Sequence, residues 1–512
     1  MEAGGLPIVA VPAHATRNAD AAAVAAAIRR DLGPALVRFL PSRRWYGDKA
    51  REIAAVSLVD AAVDDDGPPW FVLAIAEVAF ADGSPPATYL LPLATALAGT
   101  ADAVAHLDVD GKPHTLVDAF ADPSFPARLL RRLSQNAHLP GDHGNFVWEA
   151  FPAMAGLVVA ADSSPTRLIG TDSSNSSVRF GDILFLKIVR RLRPGINPDE
   201  EIGRFLAEQT DFRHAPAPLG AGHYLDAGGI TSPFALAQRF VAATADGWDF
   251  LLAALIAPVA KVDETAVISP LHLLGKRTGE LHVALATPTD DTAFATEAIT
   301  ETDCADWEAT TIATLRETTA DLIARGNSFP PATRALAERL ARQVPELSRR
   351  ATGFNTLLGT VKSRVHGDYH LGQTLRTPDD DWVILDFEGE PARSITERRA
   401  KTSPFKDVAG MLRSFGYLRA AAQRALGDQI SSGLEYRLAK WESGARRAFL
   451  VGYREAVSTH PAMAWVVESR RFAAAIAAWE LDKALYEVAY ESNNRPDWLD
   501  LPLRSLLQED HS

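Results

Sequence analysis

The stretch SRVHGDYHLGQTLRTPDDDWVILDFEGEP, residues 363–391, constrains this chain more than any other part of it. Two short β-prone runs, TLRT and WVILDFE, flank the turn PDDD, a pattern that reads as a β-hairpin. Asp368 and Gln373 stand at its entrance and Asp386 near its exit. Such a ribbon brings three oxygen ligands to one end. Phosphoryl transfer uses a set of this kind: one Asp accepts the proton of the attacking hydroxyl, while an amide oxygen and a second Asp hold Mg²⁺. The expected roles are therefore Asp368 as catalytic base, with Gln373 and Asp386 as metal ligands. Gln373 stands where a kinase catalytic loop carries Asn, an exchange that keeps the carbonyl oxygen. DFE replaces DFG at 386–388, so no flipping glycine hinge is expected.

The segment upstream supplies the expected nucleotide side. LIGTDSSNSSVRFGDILFLKIVRR contains a small polar turn at 170–177, whose N–H groups and hydroxyls can cradle an anion. Ser173, Ser174 and Ser176 are assigned there. The apolar strand that follows carries one lysine, Lys187. A buried, unpaired ammonium is costly, which argues for a function. Asn197-Pro198-Asp199-Glu200 then starts a helix, with a cap candidate, proline at the first position and an acid three residues on. Glu201 is the expected partner of Lys187, and Glu200 the fallback. Residues 235–248 suit a hinge, with Gln238, Phe240 and Val241 placed at the adenine.

Near the C-terminus, Trp479, Tyr486 and Tyr490 fall on one helical stripe beside Lys483, flanked by Glu480 and Glu487. The opposite face, Ala477, Leu481, Ala484, Leu485 and Val488, suffices for a core. The polar aromatic face suits a sugar, whose C–H faces lie on rings and whose hydroxyls meet charged groups. It equally suits aromatics packed on neighbouring helices beside a Glu480–Lys483–Glu487 ladder. His366 is expected to order the catalytic loop, and His370 to be structural or near the site. Asp407 reads as a helix cap or a loop anchor. Glu388 and Arg393 meet substrate or pair within the lobe, and 398–401 meets phosphates or forms a solvated turn. Trp45 and Tyr46 read as glue between the N-terminal region and its neighbour, and Cys304 as inert.

Composition excludes several classes. The 512 residues allow two to four domains, and a net charge of −13 argues against nucleic-acid and anionic-membrane binding. One cysteine permits neither an internal disulfide nor a cysteine-based zinc site. No secretory start and no 18-residue apolar run are visible, so a cytoplasmic protein is expected. The expected domains are 1–107, a strand-rich cap; 108–242, carrying the nucleotide-binding strands; and 243–512, helical, carrying the catalytic loop.

The same segments carry a resemblance, together with RFLPSRRWYGDK (38–49), LRPGINPDEE (192–201), LLGKRTGELHVALA (273–286) and WELDKALYEVAYESNNRPDWLDLPL (479–503). The chain resembles the aminoglycoside-phosphotransferase-like kinases and, among them, the bacterial maltokinases. That resemblance implies an α+β, bilobal protein-kinase-like fold with an extra N-terminal cap and a mostly helical C-terminal lobe. It also implies ATP and Mg²⁺, and phosphorylation of maltose at its anomeric hydroxyl in trehalose and α-glucan metabolism. Glu480, Lys483, Tyr486 and Tyr490 would then line a sugar pocket near Asp368, with His366 and Glu388 at the substrate. An enzyme partner that makes the disaccharide follows from the family alone. The family also contains kinases of other sugars, glucosamine among them, and the turn at 64–69 and the insertion at 217–232 leave the sugar open. An aminoglycoside would need a densely acidic site. A catalytically inactive binding scaffold is opposed by the complete set of catalytic groups.

Overall fold

The computed structural model describes residues 19–507 except 50, 65, 97–101, 110, 170–174, 258–263, 428–430, 459, 462 and 464–468. The chain divides into two units, one of residues up to Asn197 with Ala217–Phe240, the other of Pro198–Pro216 with Val241 onward.

The first unit runs α1 (Ala19–Phe39), β1 (Ile53–Val63), β2 (Phe71–Phe80), β3 (Ala87–Ala96), β4 (Ala105–Val109), β5 (Lys112–Asp118), α2 (Phe125–Ser134), β6 (His138–Pro140), β7 (Asn145–Ala150), α3 (Val158–Asp162), β8 (Thr166–Ile169), β9 (Asn175–Phe180), β10 (Leu184–Val189), β11 (Arg191–Leu192), β12 (Pro218–Leu225) and β13 (Thr231–Arg239). Strands β1-β2-β3-β5-β4 form one antiparallel sheet, with β11 also on β3. A second antiparallel sheet has the order β6-β7-β12-β13-β10-β9-β8. The apolar run that opens β2, Phe71–Ala76, has a physical reason: both its faces are buried. Val72, Ala74, Ala76 and Val78 pack with Val24, Ile28, Leu32 and Leu36, a four-residue stripe on α1. Phe71, Leu73 and Ile75 join the core that contains Leu184, Leu186 and Ile188 of β10. Buried Arg190 joins the sheets. It donates to Asp118 at 2.8 Å and to Ser176 Oγ at 2.8 Å, and lies over Trp45 at 4.7 Å, so Trp45 is glue as expected. The hairpin β4–β5 completes the first sheet and carries it beyond the expected boundary at 107.

The second unit runs α4 (Pro198–Gln209), β14 (Ala245–Asp246), α5 (Gly247–Ile256), α6 (Glu264–Leu285), β15 (Glu297–Ala298), α7 (Glu301–Ala324), α8 (Pro331–Ala351), β16 (Val361–Lys362), β17 (Thr374–Arg376), β18 (Trp382–Ile384), α9 (Ile395–Arg399), α10 (Phe405–Leu426), α11 (Ser432–Val457), α12 (Ser469–Asn494) and α13 (Asp500–Leu507). Helix α7 starts with a reciprocal capping box between Thr300 and Asp303. Helix α10 is the central core helix: Phe405, Val408, Met411, Leu412, Phe415 and Leu418 are all fully buried. Helices α6 and α11 approach closely because Gly275 and Gly452 face the partner backbone at Phe449 and His272, where a Cβ would clash. Among the described residues no helix is long and apolar enough to cross a membrane.

Candidate active site

The hairpin forms where the sequence places it, with Thr374 opposite Ile384 and Arg376 opposite Trp382. Trp382 is fully buried, and its indole N–H donates to the Pro270 carbonyl at 2.8 Å, fixing the ribbon in the helical core. The loop before it, at 365–373, turns through Gly367 at φ +86°, a left-handed conformation that favours glycine. Asp407, buried in the first turn of α10, accepts N–H bonds from His366 at 2.8 Å and Gly367 at 2.9 Å. His282 approaches the same carboxylate at 3.1 Å and Tyr453 Oη at 3.0 Å. Burial pushes the Asp407 carboxyl up, but His282, His366 and the Gly367 N–H more than offset it, holding the pKa below the ordinary value. Asp407 is thus the loop anchor, not merely a cap.

His366 is buried. Its ring lies between Tyr369 and Phe387, with centroids at 5.1 and 5.0 Å, and Nε2 donates to the Leu385 carbonyl at 2.7 Å. It ties the catalytic loop to the end of β18, because both ring nitrogens are drawn to backbone.

Asp368 meets Lys483 Nζ at 2.8 Å, and Lys483 also meets Glu390 at 2.9 Å. Arg393 donates to Glu390 at 2.6 Å and Lys406 lies 3.5 Å away, so Arg393 serves an internal ion network. Burial pushes the Asp368 carboxyl up, yet the Lys483 ammonium and His370 hold it below its usual value. Burial alone would lower the Lys483 pKa, but Asp368 and Glu390 hold it well above the ordinary lysine value. Burial also pushes the Glu390 carboxyl up, and Lys483, Lys406 and Arg393 bring it far down.

Asp386 stands at the exit of the same hairpin. Asp386 sits at φ +63°, a strained conformation for a residue with a side chain, and the Gln373 amide meets its carboxylate at 3.2 Å. Carboxylate oxygens of Asp199, Asp386 and Glu388 lie within 4.8 Å of one another. Oxygen donors gathered this closely fit a hard divalent cation such as Mg²⁺. Asp199, in the first turn of α4, also accepts the Phe387 N–H at 3.1 Å. Sequence reasoning used Asp199 only as part of a helix start and missed this role. Its signal, an acid within the first turn of a capped helix, is too common to single it out. Glu388 faces Asp199 and Asp386, because the backbone reverses through Asp386.

A cavity of about 640 Å³ opens beside Asp368. Lys483, Tyr486, Glu487 and Tyr490 of α12 line it with His370, Trp248 and Trp498. The Tyr486 and Tyr490 rings lie 6.4 Å apart at 20°, and Lys483 Nζ stands 4.6 Å from the Tyr486 centroid. Burial, then Asp368, pushes the Tyr486 phenol up to about 12. Glu487 accepts from Arg413 at 2.7 Å and Glu491 from Arg495 at 2.7 Å, so the acids around this cavity are largely neutralised by the chain itself. His370 also lines it, and burial lowers its pKa against the opposing pull of Asp368.

Two residues of the α12 stripe lie away from this cavity. Glu480 does not line this cavity; its carboxylate is held by Arg446 at 2.7 and 3.0 Å on another side of α12. Trp479, on the same angular stripe, packs against Trp307 and Phe354 at 5.2 and 4.8 Å. A helical wheel projects away axial position, and both residues lie on the turn below the cavity. Arg364 and Arg399 bind the two oxygens of Glu201 at 2.6 and 2.7 Å, since buried Arg364 requires a carboxylate. Arg399 and Lys401, which pairs with Glu297 at 2.6 Å, therefore hold the fold together.

In the first unit, Lys187 projects from β10 on the face opposite Leu184, Leu186 and Ile188. Ser176 lies within β9, where Arg190 occupies its hydroxyl, so it is a strand residue and not part of a polar turn. Ser173 and Ser174 lie outside the described residues. Gln238 pairs with Phe185 across β13 and β10, and the Arg179 guanidinium covers the Phe240 ring at 4.0 Å. The division between the two units falls between Phe240 and Val241.

Comparison with known proteins bears on the whole chain. Residues 39–122 match the maltokinase N-terminal cap domain. The glucosamine kinase of Streptacidiphilus jiangxiensis is 28% identical over 373 residues, 71% of this chain and 77% of that protein. A glucosamine kinase of Mycolicibacterium smegmatis (strain ATCC 700084 / mc(2)155) is 27% identical over 392 residues, 74% of this chain and 87% of that protein. A solved glucosamine kinase structure in complex with glucosamine, ADP and inorganic phosphate superposes with a TM-score of 0.61 at 22% identity, covering 92% of this chain and 98% of that one. A glucosamine kinase in another crystal form gives 0.63 at 24% identity, covering 97% and 100%. The expected α+β kinase-like fold with an N-terminal cap is the fold of this chain.

Proposed function

We propose that this chain, which carries a maltokinase-type cap domain on a kinase-like fold, transfers the γ-phosphoryl group of ATP to a hydroxyl of a neutral sugar, maltose at its anomeric hydroxyl. One observation carries the reading. Asp368 opens into a cavity walled by paired tyrosines, in which the acids beside it are already matched by Lys483, Arg413 and Arg495. An aminoglycoside or other polycation would need free carboxylates there; a neutral sugar needs stacking faces and hydrogen-bond partners.

The sugar hydroxyl meets Asp368, which accepts its proton as the new O–P bond forms and the bond to the ADP oxygen breaks. Lys483 keeps Asp368 ionised for that role. Gln373 and Asp386, with Asp199 and Glu388 beside them, would hold Mg²⁺. When bound, that ion offsets the charge of the β- and γ-phosphates. Lys187 is assigned to the nucleotide phosphates, and the backbone from Gln238 to Val241 to the adenine.

Glucosamine is the second reading, favoured by relatives that are glucosamine kinases at 27–28% identity. Phosphorus NMR of the product made from Mg-ATP and maltose separates the two. The proposal expects a phosphate coupled to the anomeric proton; product from glucosamine alone contradicts it.

A further inference from the structure

On the side of α12 away from Asp368 lies a second cavity, of about 1090 Å³, bounded by α8, α10, α11, α12 and α13. Its lining is unlike the sugar cavity's. Six arginines line it against two glutamates, Glu442 and Glu480. Three of the cations have carboxylate partners: Arg419 with Glu442 at 2.8 Å, Arg446 with Glu480 at 2.7 Å, and Arg413 with Glu487 at 2.7 Å. Arg339, Arg350 and Arg454 have none among the described residues. Arg339 donates to the Leu507 carbonyl at 2.9 Å, and Arg454 lies over the Phe472 ring at 4.2 Å. The Nε–H groups of Arg350, Arg419 and Arg454 are shielded from water and have no acceptor among the described residues. Guanidinium groups converging on one cavity without enough carboxylates lack an anion with several acceptor oxygens. Phosphate matches the fork of Arg in this way.

We propose that this cavity binds a phosphate-bearing small molecule, distinct from ATP and from the acceptor sugar, held by Arg350 and Arg454 with Arg339 at its rim. The position gives the ligand a route to the active site. Arg413, which lines this cavity, also holds Glu487, which lines the sugar cavity. An anion drawing on Arg413 competes with Glu487, so occupancy of one cavity raises the sugar KM at the other.

Calorimetric titration of the full chain, its nucleotide site saturated with Mg-ADP, tests the site by binding, so it can fail independently of the sugar-kinase reading. The probes are inorganic phosphate and, separately, glucose 6-phosphate. The expected result is saturable binding that Arg350→Gln/Arg454→Gln weakens at least about tenfold, the loss of one or more charge-assisted hydrogen bonds, with ADP affinity unchanged. Equal binding of both probes identifies the ligand as phosphate itself, and tighter glucose 6-phosphate binding identifies a phosphorylated sugar; both support the site. Arg339→Gln, at an exposed position, is the second variant and is expected to weaken binding without touching the fold. No saturable binding of either probe, or binding that the variants leave intact, overturns the proposal.

Discussion

Asp368 stands before the hairpin and Asp386 at its exit, and their surroundings differ. Asp368 has its countercharge built in: Lys483 lies 2.8 Å away, itself shared with buried Glu390. Asp386 has two further carboxylates, Asp199 and Glu388, within 4.8 Å. A base must stay ionised yet free to take a proton, which one fixed ammonium ensures. A metal-binding carboxylate must keep its charge for an incoming cation, and clustering raises the cost of leaving it empty. In the proposed mechanism the same side chain is thus prepared for two roles by what the distant parts of the chain bring to it.

The comparison can be broken from either end. Asp368→Asn should lower kcat by about 10²–10⁴, the worth of a positioned base, while the ATP KM stays near wild type in a steady-state assay. Asp386→Asn should lower activity by on the order of 10³ at standard Mg²⁺, equivalent to several kcal/mol of charge stabilisation. Asp199→Asn should raise the Mg²⁺ concentration for half-activity by about 10–100-fold, in a metal titration, because it supports the ligand set.

Lys483→Met sharpens the contrast through pH. In the intact protein Lys483 holds the Asp368 pKa below its ordinary value, against the burial that raises it. Without Lys483 burial dominates and the pKa rises. The acidic limb of the kcat/KM profile should therefore move to higher pH, with activity lost first on the acid side. An acidic limb that stays in place would separate Lys483 from the base. Glu480→Gln should have the smallest effect, a change in sugar KM within a factor of about two, since Glu480 pairs with Arg446 away from the sugar cavity.

Sequence reasoning found what neighbouring residues decide. The hairpin, its turn and the order Asp368, Gln373, Asp386 are set within two dozen residues, so local pattern suffices. Lys483, Tyr486 and Tyr490 were reachable because one helix carries them at one periodicity. Partners across the fold were not. Glu201 meets Arg364 and Arg399 only when distant segments bring them beside α4, and Asp199 gains its place only when Phe387 arrives with its N–H. Likewise Ser176 looked like loop material by composition, but pairing with β10 draws it into a strand and Arg190 takes its hydroxyl.

The central claim is that Asp368, kept ionised by Lys483, takes the proton of a neutral sugar hydroxyl during transfer from ATP. Release of ADP from Mg-ATP, measured with maltose, glucosamine, glucose and kanamycin for the wild-type protein and for Asp368→Asn, tests it directly. The account predicts release that depends on maltose and is lost in the variant. Release that no sugar stimulates, or that Asp368→Asn retains at the wild-type rate, would contradict it.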